Sequence, residues 1–160
     1  MRPHVASTNH PHWARKKPYW DLGDWLPAEE PGNAVKNRKV LVVEDSRLIH
    51  KMYEVMLRPT TLVSAFNGRE GLDKLAESQD VDFIILDINM PKMTGLEFLA
   101  QVKANPALAK IPVIIVSTEG KEEDVARGLR DGAAAYLRKP FQREDLLKIV
   151  SRIESKQSAA

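Results

Sequence analysis

The run Phe83-Ile84-Ile85-Leu86, bounded by Asp82 and Asp87, constrains this chain more than any other stretch. Four consecutive apolar residues do not suit a strand with one wet face, because alternate side chains would then point into water. The run predicts a short strand buried on both sides, as in a parallel sheet with helices packed on each face. Asp87 then emerges at the carboxyl end of a buried strand, at the edge of an open α/β sheet where ligands bind. Pro91 and Gly95 follow at turn positions, so an irregular loop leads to a helix carrying Leu96, Leu99 and Val102. One strand-ending carboxylate alone reads better as a cap than as a reactive group, and the case for a site depends on what other strands bring to that edge.

Two further runs end in the same way. Lys39-Val40-Leu41-Val42-Val43 closes on Glu44-Asp45, and Pro112-Val113-Ile114-Ile115-Val116 closes on Ser117-Thr118-Glu119-Gly120. Ser46 can cap a helix whose apolar residues Leu48, Met52, Val55 and Met56 fall at i, i+4, i+7 and i+8 and are expected inward. His50 lies off that stripe and is expected at the surface. Arg58-Pro59 ends the helix, Thr61 to Ala65 forms a strand, and Asn67-Gly68-Arg69-Glu70 opens a helix with Leu72, Leu75 and Ala76 inward. Asn105-Pro106 breaks the chain before the Pro112 strand. Beyond that strand, Glu122, Glu123 and Asp124 crowd the first turn of a helix with Val125, Ala126 and Leu129 inward, and Gly132 closes it. Ala134 to Leu137 reads as the fifth strand, Arg138-Lys139-Pro140-Phe141 follows, and a last helix buries Leu146, Val150 and Ile153. Five strands alternating with five helices predict a doubly wound α/β domain with a parallel sheet. Glu44, Asp45, Asp87, Ser117 and Lys139 would then share one edge.

Three clustered carboxylates repel one another and call for a cation among them. All-oxygen ligands without cysteine or nearby histidine favour Mg²⁺, which keeps waters and shares its sphere with phosphate. Lys139 adds an ammonium and Ser117 a hydroxyl donor, a set suited to a phosphoryl group in transfer. One carboxylate must be the nucleophile. Asp87 is central and leaves Glu44 and Asp45 to hold metal.

With Glu44-Asp45, Asp87 followed by Met90-Pro91 and Gly95, Ser117, and Lys139-Pro140-Phe141, residues 39–156 resemble the receiver domain of two-component response regulators, of the CheY-like stand-alone kind. The resemblance implies a flavodoxin-like sheet of order 2-1-3-4-5. It implies that Asp87 accepts phosphate from a histidine kinase or phosphotransfer protein, that Asp45, Asp87 and the Asn89 main-chain carbonyl ligate Mg²⁺, and that Glu44 assists through water. It further implies that Lys139 and Ser117 contact the phosphoryl group, that Tyr136 is the aromatic switch, and that Lys139-Pro140 is cis. Asn89 and Glu119 correspond to positions that govern water attack on the phosphoryl group in this family. Glu44 stands where the family more often has Asp.

The formal net charge of +2 comes from the first 38 residues, which hold 6 of 24 basic and 4 of 22 acidic residues and leave 18 of each to the rest. No basic stripe suggests nucleic acid, and no apolar run approaches the roughly 20 residues of a membrane span. Absence of cysteine fits a reducing compartment, and the expectation is a cytoplasmic protein. Residues 1–38 carry all three tryptophans, three of four histidines and five of ten prolines. They read as a mobile tail or a mis-assigned start, with Tyr19 to Leu26 as a docking segment in the alternative; His4, His10 and His12 lack a fourth metal ligand. Residues 157–160 form a short tail, so the expected output is a change in partner affinity through the 122–155 face rather than an attached effector domain. The expectation is no enzyme beyond self-phosphorylation and self-dephosphorylation. A phosphohydrolase with Asp87 as nucleophile is the competing reading, weakened by Asn89 and Pro91 where that family has Asp and Thr. A nucleotide module lacks its glycine motif, and a non-phosphorylated receiver-fold scaffold conflicts with the intact set of site residues.

Overall fold

The computed structural model describes residues 38–78, 80–88, 94–118 and 121–159. The expected N-terminal extension, apart from Arg38, lies outside the described residues, as do Asn89, Met90, Pro91 and Glu119. The elements run β1 (Lys39–Val43), α1 (Arg47–Met56), β2 (Thr61–Ala65), α2 (Gly68–Glu77), β3 (Phe83–Asp87), α3 (Gly95–Ala104), β4 (Val113–Ser117), α4 (Glu122–Arg130), β5 (Ala135–Arg138) and α5 (Arg143–Ala159). All strand pairs are parallel, in one five-stranded sheet of order β2-β1-β3-β4-β5.

The two-residue period of the strands divides the core into two layers. Val40 and Val42 of β1, Phe83 and Ile85 of β3, and Ile114 and Val116 of β4 meet Tyr53 and Leu57 from the α1 side and Leu146, Leu147 and Val150 of α5. The alternate residues, Leu41, Val43, Ile84, Leu86, Val113 and Ile115, meet Leu75 of α2, Phe98, Leu99 and Val102 of α3, and Val125 of α4. Every residue of β3 and β4 is buried, as the unbroken apolar runs require.

The helix termini are set locally. Ser46, Asn67 and Thr94 cap α1, α2 and α3 by accepting from the backbone N–H three residues on. Thr94 and Glu97 form a reciprocal capping box. At the end of α4, Gly132 adopts φ 115°, and the Ala133 N–H returns to the Gly128 carbonyl at 3.0 Å.

Several expected faces differ. On α1, Leu48, Met52 and Val55 are exposed, at 77%, 36% and 62% of their surface. The helix instead buries His50 and Tyr53, with Ile49 and Met56 packed beside them. Ile49, Tyr53, Met56 and Leu57 have the same i, i+4, i+7, i+8 spacing, and the direction in which the crossover delivers the helix selects between the two stripes. Ala76 and Ala126 are exposed, and Leu129 is 39% exposed. Strand β5 starts one residue later than expected, at Ala135, and β4 extends to Ser117.

Candidate functional site

The site is assembled where β1, β3, β4 and β5 end. The Glu44 N–H donates to the Ala65 carbonyl at 3.0 Å, which carries the β1–β2 ladder one residue past the strand. Asp87 is the last residue of β3, and Ser117 is the last of β4. Both are buried, at 8% and 3% exposure. The Lys139 N–H donates to the Ser117 carbonyl at 2.7 Å and fixes the lysine one residue beyond β5. The Lys139-Pro140 bond is cis. Gly95 opens α3 directly against the end of β3: a Cβ there would collide with the Ile88 Cα and lie 2.7 Å from the Asp87 carbonyl oxygen. Glycine is what lets α3 begin so close to the site.

The carboxylates of Glu44, Asp45 and Asp87 each place an oxygen within 4.8 Å of the others. Glu44 and Asp87 are buried and Asp45 is exposed, so the cluster opens to solvent on the Asp45 side. The Lys139 ammonium lies 3.3 Å from Glu44 Oε1 and 4.0 Å from Asp87 Oδ2. Glu44 Oε2 also accepts from the Ser46 N–H at 3.1 Å. Even with these partners, burial, hydrogen bonding to Asp45 and the nearby Asp87 charge push the Glu44 carboxyl up to about 7. The positive charge of Lys139 does not neutralise the cluster. Three carboxyl groups with oxygen donors only, open to water on one side, fit a hard divalent cation that retains part of its hydration.

The remaining switch candidate lies apart from this cluster. Tyr136 sits on β5, opposite Ile115 of β4, and is 48% exposed. It lines a groove of about 540 Å³ with Leu129, Ile149 and Ile153, among lysine and arginine side chains.

One residue beside the site was misread from sequence. His50 is 4% exposed, not solvated. Its Nε2 lies 2.7 Å from the Glu44 carbonyl oxygen, so Nε2 carries the proton and donates. Its ring lies 4.5 Å from that of Phe66, tilted 51°. The residue is on the second turn of α1, and helical side chains lean towards the preceding turn, which puts the imidazole over the loop that carries Glu44 and Asp45.

The family model described as the response regulator receiver domain matches residues 40–151. The chain belongs to this family. The receiver is similar to "Two-component response regulator ORR5" of Oryza sativa subsp. japonica, at 35% identity over 116 residues, which cover 71% of this chain and 87% of that one. It is 35% identical over 111 residues to "Protein PilG" of Pseudomonas aeruginosa, covering 68% and 82% of the two chains. A match to "Probable transcriptional regulator ycf29" of Pyropia yezoensis reaches 38% identity over 117 residues, and there the receiver covers 72% of its own chain but about half, 52%, of the relative. Among solved structures, the chemotaxis protein CheY4 of Vibrio cholerae superposes with a TM-score of 0.68 at 37% identity, covering 73% of this chain and 98% of that one. The receiver is thus a two-component signalling domain with the flavodoxin-like sheet order expected from its sequence. Among the described residues, no helix is long and apolar enough to cross a membrane.

Proposed function

We propose that this receiver takes a phosphoryl group onto Asp87 from a histidine kinase or phosphotransfer protein and converts that charge into altered affinity for a downstream protein. The observation that carries the reading is the convergence of Glu44, Asp45 and Asp87 with Lys139 at one sheet edge. An Asp87 carboxylate oxygen attacks phosphorus as the bond to the donor nitrogen breaks, and the donor histidine leaves with its electron pair. Lys139, already within 4.0 Å of Asp87, compensates the charge on the phosphoryl oxygens, and the Ser117 hydroxyl donates to one of them. Asp45 and Asp87, with the Asn89 carbonyl, would hold Mg²⁺, with Glu44 acting through water. That ion supplies electrostatic stabilisation of the transferring group.

Self-hydrolysis ends the signal, and Asn89 and Glu119 are the side chains assigned to control water access. The chain is not an enzyme on external substrates in this reading, and it works in the cytoplasm. Output runs through α4, β5 and α5: drawing Ser117 inward makes room for the Tyr136 ring, and the basic rim of the groove beside it suits a partner segment bearing acidic side chains.

The test is labelling by a small phosphoramidate donor, with and without Mg²⁺, in the native chain and in Asp87→Asn. Mg²⁺-dependent, acid-labile incorporation lost in the variant is expected. Equal labelling of both would place the nucleophile elsewhere. Steady turnover of a chromogenic phosphate ester would instead favour the phosphohydrolase reading.

A further inference from the structure

We propose that His50 is a positioning residue for the divalent-cation site, holding the peptide that aims Asp45. The inference rests on the reading that Glu44, Asp45 and Asp87 bind such an ion.

Glu44 and Asp45 lie between the last β1 residue, Val43, and the Ser46 cap of α1. The Glu44 N–H is fixed by the Ala65 carbonyl at 3.0 Å, and its carboxylate by the Ser46 N–H and Lys139. Its carbonyl belongs to the peptide leading into Asp45, and the orientation of that peptide sets where the Asp45 side chain leaves the backbone. His50 Nε2 donates to this carbonyl at 2.7 Å. The Asp45 carboxyl is the exposed member of the cluster and is hydrogen-bonded to Glu44, so burial does little to fix it, and the direction in which the backbone delivers it decides whether it reaches the other two.

The histidine is itself held from the far side. Phe66 of the β2–α2 loop packs on the imidazole, the Arg47 guanidinium sits 4.8 Å from the centroid of the same phenyl ring, and the Phe66 N–H donates to Glu70 Oε1 at 2.9 Å. His50 Nδ1 is buried and has no hydrogen-bond partner among the described residues. A buried acceptor without a partner is a cost, and a phenylalanine would avoid it. A residue chosen only to fill this space would not carry that nitrogen. What the imidazole provides and a phenyl ring cannot is the Nε2–H aimed at the Glu44 carbonyl.

The experiment is a Mg²⁺ titration followed by the amide resonances of Glu44, Asp45 and Ser46, with melting temperatures recorded in parallel, in the native chain, His50→Phe and His50→Gln. The Gln amide nitrogen reaches about as far as Nε2 and keeps the donor. Phe keeps the ring and the Phe66 contact but removes it. His50→Phe is expected to bind Mg²⁺ about tenfold more weakly, the lower end of what outer-shell partners contribute, while its melting temperature stays within a few degrees of native. His50→Gln is expected to bind within about twofold of native, which the same outer-shell argument requires if the donor is what counts.

Native-like Mg²⁺ affinity in His50→Phe would overturn the proposal, as would a loss in His50→Gln as large as in His50→Phe. A fall in melting temperature with unchanged affinity would make His50 a packing residue only and also overturn it. If the native chain shows no Mg²⁺-dependent shifts, the cation reading itself fails and takes this proposal with it. That result cannot be confused with the others, which all require native binding.

Discussion

Replacing Glu44 with Gln should make the domain more stable at alkaline pH, an unusual direction for removing a charge that has a lysine 3.3 Å away. Glu44 titrates at about 7 in the folded chain, against an ordinary value of 4.5. Between those limits the folded state binds more protons than the unfolded state, so the Glu44 contribution is fully present below pH 4.5 and is lost as pH rises through 7. The loss is on the order of 3 kcal/mol at most, using about 1.4 kcal/mol for each tenfold change in proton affinity. The side chain is only 5% exposed, so solvent screening takes little from that figure. Urea unfolding of the native chain and of Glu44→Gln, repeated from pH 5 to pH 8.5, reads the effect of the Glu44 charge together with its coupling to the rest of the cluster. The difference between the two proteins should grow in favour of the variant as pH rises, and saturating Mg²⁺ should narrow it by stabilising the native cluster more than the variant, which keeps Asp45 and Asp87 but lacks the Glu44 charge. Parallel pH profiles would refute the argument, because they would mean that Lys139 and solvent already balance the buried carboxylate.

Three further outcomes follow from the packing and the proposed switch. The double change Leu48→Lys and Val55→Lys should shift stability by less than about 0.5 kcal/mol, whereas Tyr53→Ala should cost about 3–5 kcal/mol, both read by denaturant unfolding. Gly95→Ala should cost roughly 1–3 kcal/mol, since the added methyl meets β3 backbone rather than a flexible side chain, and its melting temperature should fall accordingly. Beryllofluoride with Mg²⁺ should change hydrogen exchange over α4, β5 and α5; identical exchange on that face would break the link between Asp87 and Tyr136.

Much of the site could be read from sequence because three strands carry apolar runs that each lead into a reactive group. A buried parallel strand leaves its last residue little choice of position, so Asp87 and Ser117, with Glu44-Asp45 following β1, had to gather at one edge. Lys139 followed from β5 by the same rule. The helices were less legible. Helix α1 is apolar on two faces, with Leu48, Met52 and Val55 on one and Ile49, Tyr53 and Met56 on the other, and spacing alone cannot say which faces the sheet. Choosing the first stripe sent His50 to the surface. In the folded chain Leu57, just beyond the helix, continues the Ile49 stripe and is buried with Tyr53. The shift of β5 by one residue has a similar cause: Ala133, Ala134 and Ala135 give no pattern from which to place the start of a strand. The clustering of the three carboxylates already implied a raised carboxyl pKa; that it falls on Glu44, with burial as the largest cause, is not displayed by any local stretch of sequence.

The central claim is that Asp87 is the phosphoryl acceptor, and chemical trapping tests it most directly. After labelling with the phosphoramidate donor and Mg²⁺, borohydride reduces an aspartyl phosphate to homoserine, and peptide mapping locates the converted residue. Conversion at position 87 and at no other acidic residue is the predicted result. Conversion at Asp45 or Glu44, or labelled protein that resists borohydride altogether, would contradict it.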